Sequence, residues 1–333
     1  MTSSSPVPSS TQAPALPADE DAPAPSPPAP ETDIAPAAFH RLPCILLHRR
    51  YWFRPLVVVG VAAVSYAVMV LALIVGMLLL SLAVPGAEPS VELEDPLNPM
   101  DQMFVLGMLA LMLPAVLLGT LAGHGRAGIA HSVLGRFRWG LLGRAATVIV
   151  PLYLVVNLGV SLVAGREQIV VPPPEAGVLV AWSLLLLLTP LQAAAEEYAF
   201  RVLPMQVMGT WLRSPLPGIL LPIPLFVLGH EYALLGQIDI ALFALCMGLL
   251  TWKTGGIEIP VLLHVANNWT LFAITPLLPH LAEQGEVTWT GFLLAALPTL
   301  LCTVGTWWWV SQREGVGLWE PVRGTASVSP GVA

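Results

Sequence analysis

The chain has 333 residues, of which 56% are hydrophobic and only 11% are charged, and its mean hydropathy is +0.75. This composition is too apolar for a soluble globular protein of that length, so we expect a polytopic membrane protein. The formal net charge of -7 lies largely in the N-terminal segment and the loops, which argues against a nucleic-acid-binding protein.

The chain begins with a segment that lacks the residues needed for a packed core. Residues 1–38 are mostly Pro, Ala and Ser with a few acids, so we predict a disordered cytoplasmic tail. The stretch "HRLPCILLHRRYWFRP" follows, and its arginines and aromatic residues indicate an anchor at the cytoplasmic membrane interface. We therefore predict a transmembrane helical domain over residues 39–313 and a short cytoplasmic C-terminal tail over residues 314–333.

The apolar stretches predict an all-α bundle of about eight transmembrane helices, since about 20 apolar residues cross the hydrocarbon layer. The predicted spans are 55–84, 102–122, 143–164, 176–200, 217–235, 238–253, 257–278 and 290–311. The fifth to seventh spans are short or interrupted by Pro222, Pro224 and Pro260. Prolines inside membrane helices indicate backbone groups that are satisfied by neighbouring helices or a cavity.

The distribution of basic residues predicts the orientation of these spans. Basic residues lie at alternate loops: Arg41, Arg49, Arg50 and Arg54, then Arg126, Arg136, Arg138 and Arg144, then Arg213, Lys253 and Arg313. The other loops, "AEPSVELEDPLNPMD", "GREQIVVPPPEAG" and "PHLAEQGEVTWTG", are acidic or neutral apart from Arg166. By the positive-inside rule we expect a multi-pass protein of the cell membrane with both termini in the cytoplasm.

The fourth span runs into "QAAAEEYAFR", where two glutamates and an arginine stand in an otherwise apolar helix. Ionisable groups at that depth need partners or water, because each costs about 2.5 to 3.5 kcal/mol at the centre of a membrane helix. Glu197 and Arg201 are four residues apart and share a helix face, which predicts an ion pair. Glu196 is rotated off that face and is the carboxylate expected to act. The alternative interpretation is a solvated cluster at the cytoplasmic membrane edge.

Two further polar pairs occur on later spans. Phe226 and His230 are four residues apart in "FVLGH", and His264 and Asn268 are four apart in "HVANN". A single histidine in an apolar helix is more often a hydrogen-bonded packing residue than a catalyst. Polar groups on three separate helices, however, can face the interior of one bundle. By contrast, we expect solvated or interfacial positions for His124 and His131, which lie in a basic loop.

EEYAFR, FVLGH and HVANN occur in that order and resemble the EExxxR, FxxxH and HxxxN motifs of the CPBP family of intramembrane proteases, which includes CAAX prenyl endopeptidases and Abi-like proteins. The resemblance covers about residues 176–278. It implies a helical bundle with a catalytic cavity open toward the cytosol, and hydrolysis of a peptide bond in a peptide or membrane-protein substrate within the lipid bilayer. It also implies site roles: Glu196 as the catalytic glutamate, Glu197, Arg201 and Phe226 as motif partners, His230 in water activation, and His264 with Asn268 in stabilising the transition state.

Other functions remain open at this point. Two histidines and a glutamate are the ligand set of many catalytic zinc sites, so a zinc metalloprotease would use Glu196, His230 and His264. The sequence contains no HExxH motif, and its three cysteines show no metal-ligand spacing, so we favour hydrolysis without a cofactor. A non-catalytic scaffold or an ion-coupled carrier would use the same buried polar residues for binding.

Overall fold

The described part of the chain folds mostly into helices. The structure is a computed structural model and describes residues 35–46, 52–93, 95–279 and 285–326. Most of the predicted N-terminal tail, residues 1–34, lies outside the described residues, so its predicted disorder stays a prediction. Arg49 and Arg50, used above for the orientation, also lie outside them.

The described residues contain thirteen α-helices and one pair of short strands. The helices are α1 (Leu42–Leu46), α2 (Arg54–Ala83), α3 (Pro99–Ala110), α4 (Met112–His124), α5 (Trp139–Tyr153), α6 (Ser161–Ala164), α7 (Ala176–Glu197), α8 (Leu203–Trp211), α9 (Leu216–Leu220), α10 (Pro222–Leu228), α11 (Leu234–Thr254), α12 (Glu258–Phe272) and α13 (Trp289–Glu314). Short 3-10 helices cover Phe39–Arg41, Ala127–Ala130 and Arg166–Gln168, and π-helical turns cover Leu154–Val160 and Tyr198–Val202. The strands are β1 (Ala37–Ala38) and β2 (Arg323–Gly324).

Six helical stretches among the described residues are long and apolar enough to cross a membrane. They are Arg54–Ala83, Pro99–His124, Trp139–Ala164, Ala176–Trp211, Leu234–Thr254 and Trp289–Glu314. The predicted helical, multi-pass membrane protein is therefore confirmed.

The predicted number of eight spans is not confirmed, because two of the predicted spans are shorter helices. Residues 216–228 form α9 and α10, and α12 has 15 residues. At 1.5 Å per residue α12 is about 22 Å long, whereas the hydrocarbon layer is about 30 Å thick. Eight crossings therefore stay a prediction.

Small residues allow α2 and α4 to pack closely. Gly119 and Gly123 lie four residues apart on α4, and a Cβ atom at Gly119 would stand only 2.4 Å from the Val58 carbonyl oxygen of α2. Close approach of this kind is how membrane helices gain packing energy without a hydrophobic driving force between them. Helix α7, which carries the two glutamates, contacts both α3 and α4.

Prolines release backbone groups where the long helices are irregular. Pro151 precedes the π-helical turn at Leu154–Val160, and Pro204 follows the one at Tyr198–Val202. A proline has no N–H for the carbonyl four residues earlier, so the hydrogen-bond pattern around it changes. The second of these turns contains Arg201, and the irregular backbone thus lies within the EEYAFR motif.

The C-terminal residues fold back onto the helical body. Lys253, at the end of α11, is fully buried and its Nζ donates to the carbonyl oxygens of Gly317, Leu318 and Glu320 at 2.7, 3.1 and 2.7 Å. The backbone N–H of Val322 donates to the Lys253 carbonyl at 2.9 Å, and β2 pairs antiparallel with β1. Residues 315–326 and residues 37–38, assigned to tails from the sequence, are thus ordered parts of the body.

Candidate active site

Two indole hydrogen bonds set α7 against α12, the two helices that carry most of the motif residues. Pro190 lies inside α7 and leaves the carbonyl of Leu186 without its helical donor. The Trp269 Nε1 of α12 donates to that carbonyl at 3.1 Å. One turn beyond, Trp182 Nε1 of α7 donates to the Ala273 carbonyl at 3.0 Å. Each indole thus donates a hydrogen bond to a backbone carbonyl. Without that bond, burial of the carbonyl among apolar groups would cost free energy.

Glu197 stands at the centre of the charged residues. Its Oε1 lies 3.2 Å from Arg201 Nη1 and accepts a 2.8 Å hydrogen bond from His264 Nδ1. The predicted ion pair between Glu197 and Arg201 is therefore confirmed. Both side chains are buried, at 0% and 2% exposure, so the pair exists inside the protein and not at a solvated surface.

Glu196 contacts the same histidine from the same helix turn. Its Oε2 lies 3.5 Å from His264 Nε2, and within the described chain that oxygen has no hydrogen-bond partner. The residue is 6% exposed. Because Glu196 and Glu197 are both buried, the alternative interpretation of a solvated boundary cluster is wrong.

Arg201 is held by aromatic rings as well as by charge. Its guanidinium carbon lies 4.3 Å from the centre of the Phe226 ring and 6.0 Å from that of Phe243. The approach to Glu197 is an ion pair without directed hydrogen-bond geometry, since neither Nη atom has a hydrogen-bond partner among the described residues. A desolvated cation over an aromatic face is stabilised by about 2 kcal/mol, so Phe226 and Glu197 together stabilise the buried Arg201 guanidinium.

Phe226 and His230 lie in contact, but not on one continuous helix as predicted. Helix α10 ends at Leu228, so His230 stands in the loop beyond it. Its Nδ1 donates to the Phe226 carbonyl at 2.8 Å, and the two rings are 4.9 Å apart. This bond places the proton of a neutral His230 on Nδ1 and leaves Nε2 as an acceptor.

A small cavity of about 50 Å³ brings the second and third motifs together. The residues that line it are Phe226, His230, Asp239, Ile240, Phe243, His264, Asn267, Asn268, Ala295 and Thr299. Glu196, Glu197 and Arg201 do not belong to this lining; they contact His264, which does. The residues of α11 in the lining lie in its first half, away from Lys253. The predicted opening of the cavity toward the cytosol stays a prediction.

The side-chain amide of Asn268 is bonded at both ends. Its Nδ2 donates to Gln192 Oε1 at 3.4 Å, and its Oδ1 accepts a 3.1 Å bond from Asn267 Nδ2. His264 and Asn268 share a face of α12, as their spacing predicts, and both line the cavity. The structure thus brings Phe226, His230, His264 and Asn268 to one space and keeps the acidic pair adjacent to it.

The residues of the metal alternative do not fit a metal centre. Within the part of the chain that the structure describes, no group of three or more His, Cys, Asp and Glu side chains is arranged to hold a metal ion. Glu196 and His264 are close, but His230 does not complete a ligand set with them. We derive no chemical step through a metal.

Several residues near the site were not predicted from the sequence. Gln192 and Asp239 are polar residues within apolar helical stretches, and that contrast is a signal that could have revealed them. His131, expected to be solvated or interfacial, lies instead within hydrogen-bond contact of the Tyr198 hydroxyl through its Nδ1. Burial lowers the pKa of His131, and the carboxylate of Glu258 opposes that shift. His124 is buried at the end of α4.

The structure is that of a multi-pass helical membrane protein in which charged and polar side chains meet inside the bundle, and such side chains are typical of functional sites in this class. A family model described as "Type II CAAX prenyl endopeptidase Rce1-like" matches residues 178–270, from the start of α7 to near the end of α12. This match supports the CPBP, or CAAX protease, family that the three motifs predict. Searches of curated proteins and of solved structures found no match.

Proposed function

We propose that the protein is an intramembrane endopeptidase that hydrolyses a peptide bond with water activated by Glu196 and His230. The observation that carries the proposal is the buried Glu196 Oε2, which has no hydrogen-bond partner in the described chain and lies 3.5 Å from His264. A buried carboxylate oxygen beside a histidine can accept a hydrogen bond from a water molecule and then take its proton, as the proposed reaction requires. The family supports a protease.

The cavity supports a role for water. Its volume of about 50 Å³ exceeds the 10 to 15 Å³ that one water molecule needs, and it offers several polar partners. In the proposed reaction the water oxygen bonds to the substrate carbonyl carbon while Glu196 takes the water proton. His230, whose Nε2 is an acceptor, orients that water. The proton then passes to the leaving amine nitrogen as the carbon–nitrogen bond breaks.

The remaining motif residues act around this step. His264 and Asn268 stand on one face of α12 and supply N–H groups for the oxyanion that develops on the carbonyl oxygen. Asn268 donates through Nδ2, and His264 donates through Nε2 in its protonated form, because its Nδ1 donates to Glu197. Glu197 accepts from His264 Nδ1 and so fixes the ring orientation, while Arg201 neutralises Glu197. The substrate is a peptide or a membrane protein that enters from the bilayer.

The first test is peptide cleavage by the purified protein in liposomes. A protease cleaves a library of fluorogenic membrane peptides, with and without a C-terminal prenyl group, whereas a scaffold or an ion-coupled carrier cleaves none.

We expect Asn268→Ala to lower kcat by about 10²- to 10³-fold with little change in KM, because an oxyanion donor acts in the transition state. An equal rise in KM with unchanged kcat would contradict that role.

A second measurement separates glutamate from zinc chemistry. The metal-free mechanism predicts that chelator-washed protein retains both its activity and a zinc content far below one ion per chain. A zinc enzyme would lose activity with the metal and regain it on addition of zinc. Loss and recovery of this kind would overturn the glutamate mechanism and leave the endopeptidase assignment standing.

We also propose that the protein lies in the cell membrane with both termini in the cytoplasm. Glu92, Arg136 and Arg213 are exposed loop residues, which makes them suitable for single-cysteine labelling. We expect an impermeant thiol reagent added outside cells to label cysteine at position 92 and not at positions 136 or 213. Labelling of position 136 or 213 from outside would overturn the proposed orientation. The chain without an added cysteine, which carries the partly exposed Cys44 and the buried Cys246 and Cys302, gives the background signal to subtract.

A further inference from the structure

A chain of side-chain amides runs from one helical segment through the site to another. Asn157, in the π-helical turn Leu154–Val160, donates through Nδ2 to the Asn267 carbonyl at 3.2 Å and to Asn267 Oδ1 at 3.4 Å. Asn267 Nδ2 then donates to Asn268 Oδ1, and Asn268 Nδ2 donates to Gln192 Oε1. Asn157 also donates to Thr270 Oγ1 at 3.1 Å. We call Asn157, Asn267, Asn268 and Gln192 the amide chain.

The amide chain has one direction, and this fixes the orientation of Asn268. The Nδ2 atoms of Asn157, Asn267 and Asn268 each donate to a side-chain oxygen of the next member of the amide chain. Reversing the Asn268 amide would set its Oδ1 against Gln192 Oε1 and its Nδ2 against Asn267 Nδ2, which pairs two acceptors and two donors. Polar groups that face each other in this way lose their hydrogen bonds, which disfavours the reversed amide. A single orientation of Asn268 is therefore strongly preferred.

Gln192 links this orientation to the helix of the proposed catalytic glutamate. It is 4% exposed and lies four residues before Glu196 on α7, so the two side chains share a helix face. An amide nitrogen carries two hydrogens. With one Nδ2 hydrogen donated to Gln192, Asn268 has one left for a group in the cavity that it lines.

We propose that Gln192 is a positioning residue that acts through Asn268: it holds the amide so that its second hydrogen meets the developing oxyanion. This inference rests on the proposed function. It also makes α7 contribute twice to the reaction, through the carboxylate that activates water and through the acceptor that aligns the oxyanion donor on α12. Asn267 assists from the opposite end of the Asn268 amide.

A double-mutant cycle in the liposome cleavage assay tests the inference. We expect Gln192→Met, which keeps length and removes the acceptor, to lower kcat by about tenfold while KM changes less than about twofold. In the Asn268→Ala background the same replacement should change kcat by less than about twofold, because the group that Gln192 positions is already absent. If Gln192→Met does not fold, a second double-mutant cycle combines Asn267→Ala with Asn268→Ala. Asn267 is partly exposed, so its replacement disturbs the fold less.

The matched control is Gln206→Met, a buried glutamine of α8 that donates to the Ile129 carbonyl at 2.7 Å. It should lower the unfolding temperature and leave kcat unchanged. Equal losses from Gln192→Met in both backgrounds would overturn the inference while the proposed function stands. Full activity of both Glu196→Gln and Asn268→Ala, or no cleavage of any peptide by the folded wild-type protein, would overturn the proposed function and the inference with it.

Discussion

Glu196→Gln is expected to lower kcat for peptide cleavage by about 10²- to 10⁴-fold, the range that a general base contributes. Glutamine has nearly the same shape as glutamate but does not take a proton from water. The neighbouring contacts among Glu197, His264 and Arg201 do not use the replaced oxygen, so the fold should be retained. Cleavage rates at matched protein concentration in liposomes, together with the unfolding temperature in detergent, measure the two effects separately.

An exposed acid provides the control for this replacement. Glu167 lies outside the site and its side chain is 87% exposed, so Glu167→Gln should change neither the cleavage rate nor the unfolding temperature. A well-folded Glu196→Gln variant with wild-type cleavage would remove Glu196 from the mechanism. A variant that fails to fold would instead show that the carboxylate has a structural role, which contradicts the expected retention of the fold.

The second large effect is on stability. Arg201→Met is expected to reduce the free energy of unfolding by about 3 to 5 kcal/mol, because it leaves the fully buried Glu197 without its counter-ion. Methionine keeps an apolar contact with the Phe226 ring, so loss of packing adds little. Denaturant unfolding of the purified protein in detergent, followed by tryptophan fluorescence, measures the change.

Two variants check the physical reason for that loss. Arg213→Met replaces an exposed arginine and should change the free energy of unfolding by less than about 0.5 kcal/mol. The double variant Glu197→Gln/Arg201→Met should recover much of the lost stability, since it removes the buried charge as well as its partner. If the double variant is less stable than Arg201→Met alone, the stability does not depend on charge compensation.

The sequence predicted those contacts of the site that depend only on the spacing of residues along one helix. The i, i+4 spacing of Glu197 and Arg201 gave an ion pair that the structure contains, although the turn that holds Arg201 is π-helical and not α-helical. The spacing of His264 and Asn268 gave a shared helix face for the same reason. Long apolar stretches likewise gave six helices because hydrophobic length is a strong signal, although the predicted end of the fourth span, residue 200, lies well before the observed end at Trp211.

Features that depend on contacts between distant residues could not be predicted. Nothing local indicates that Trp269 would donate to the carbonyl that Pro190 releases, or that Gln192 would meet Asn268. The position of His230 beyond the end of α10 was missed because its four-residue distance from Phe226 suits a helix equally well. The ordered C-terminal residues were missed because the segment is short, contains three glycines and a proline, and shows no helical or strand periodicity.

The pairing of β1 with β2 has a consequence for how the protein is made. Ala37 and Ala38 leave the ribosome before any of the long helices, whereas their partners Arg323 and Gly324 leave after the last one. The strand pair and the contacts of Lys253 with residues 317–320 can therefore form only after α13 has been synthesised. Until then the C-terminal end of α11 carries a lysine without these backbone acceptors. A nascent chain stalled before residue 323 would therefore lack the strand pair that joins residues 37–38 to residues 323–324.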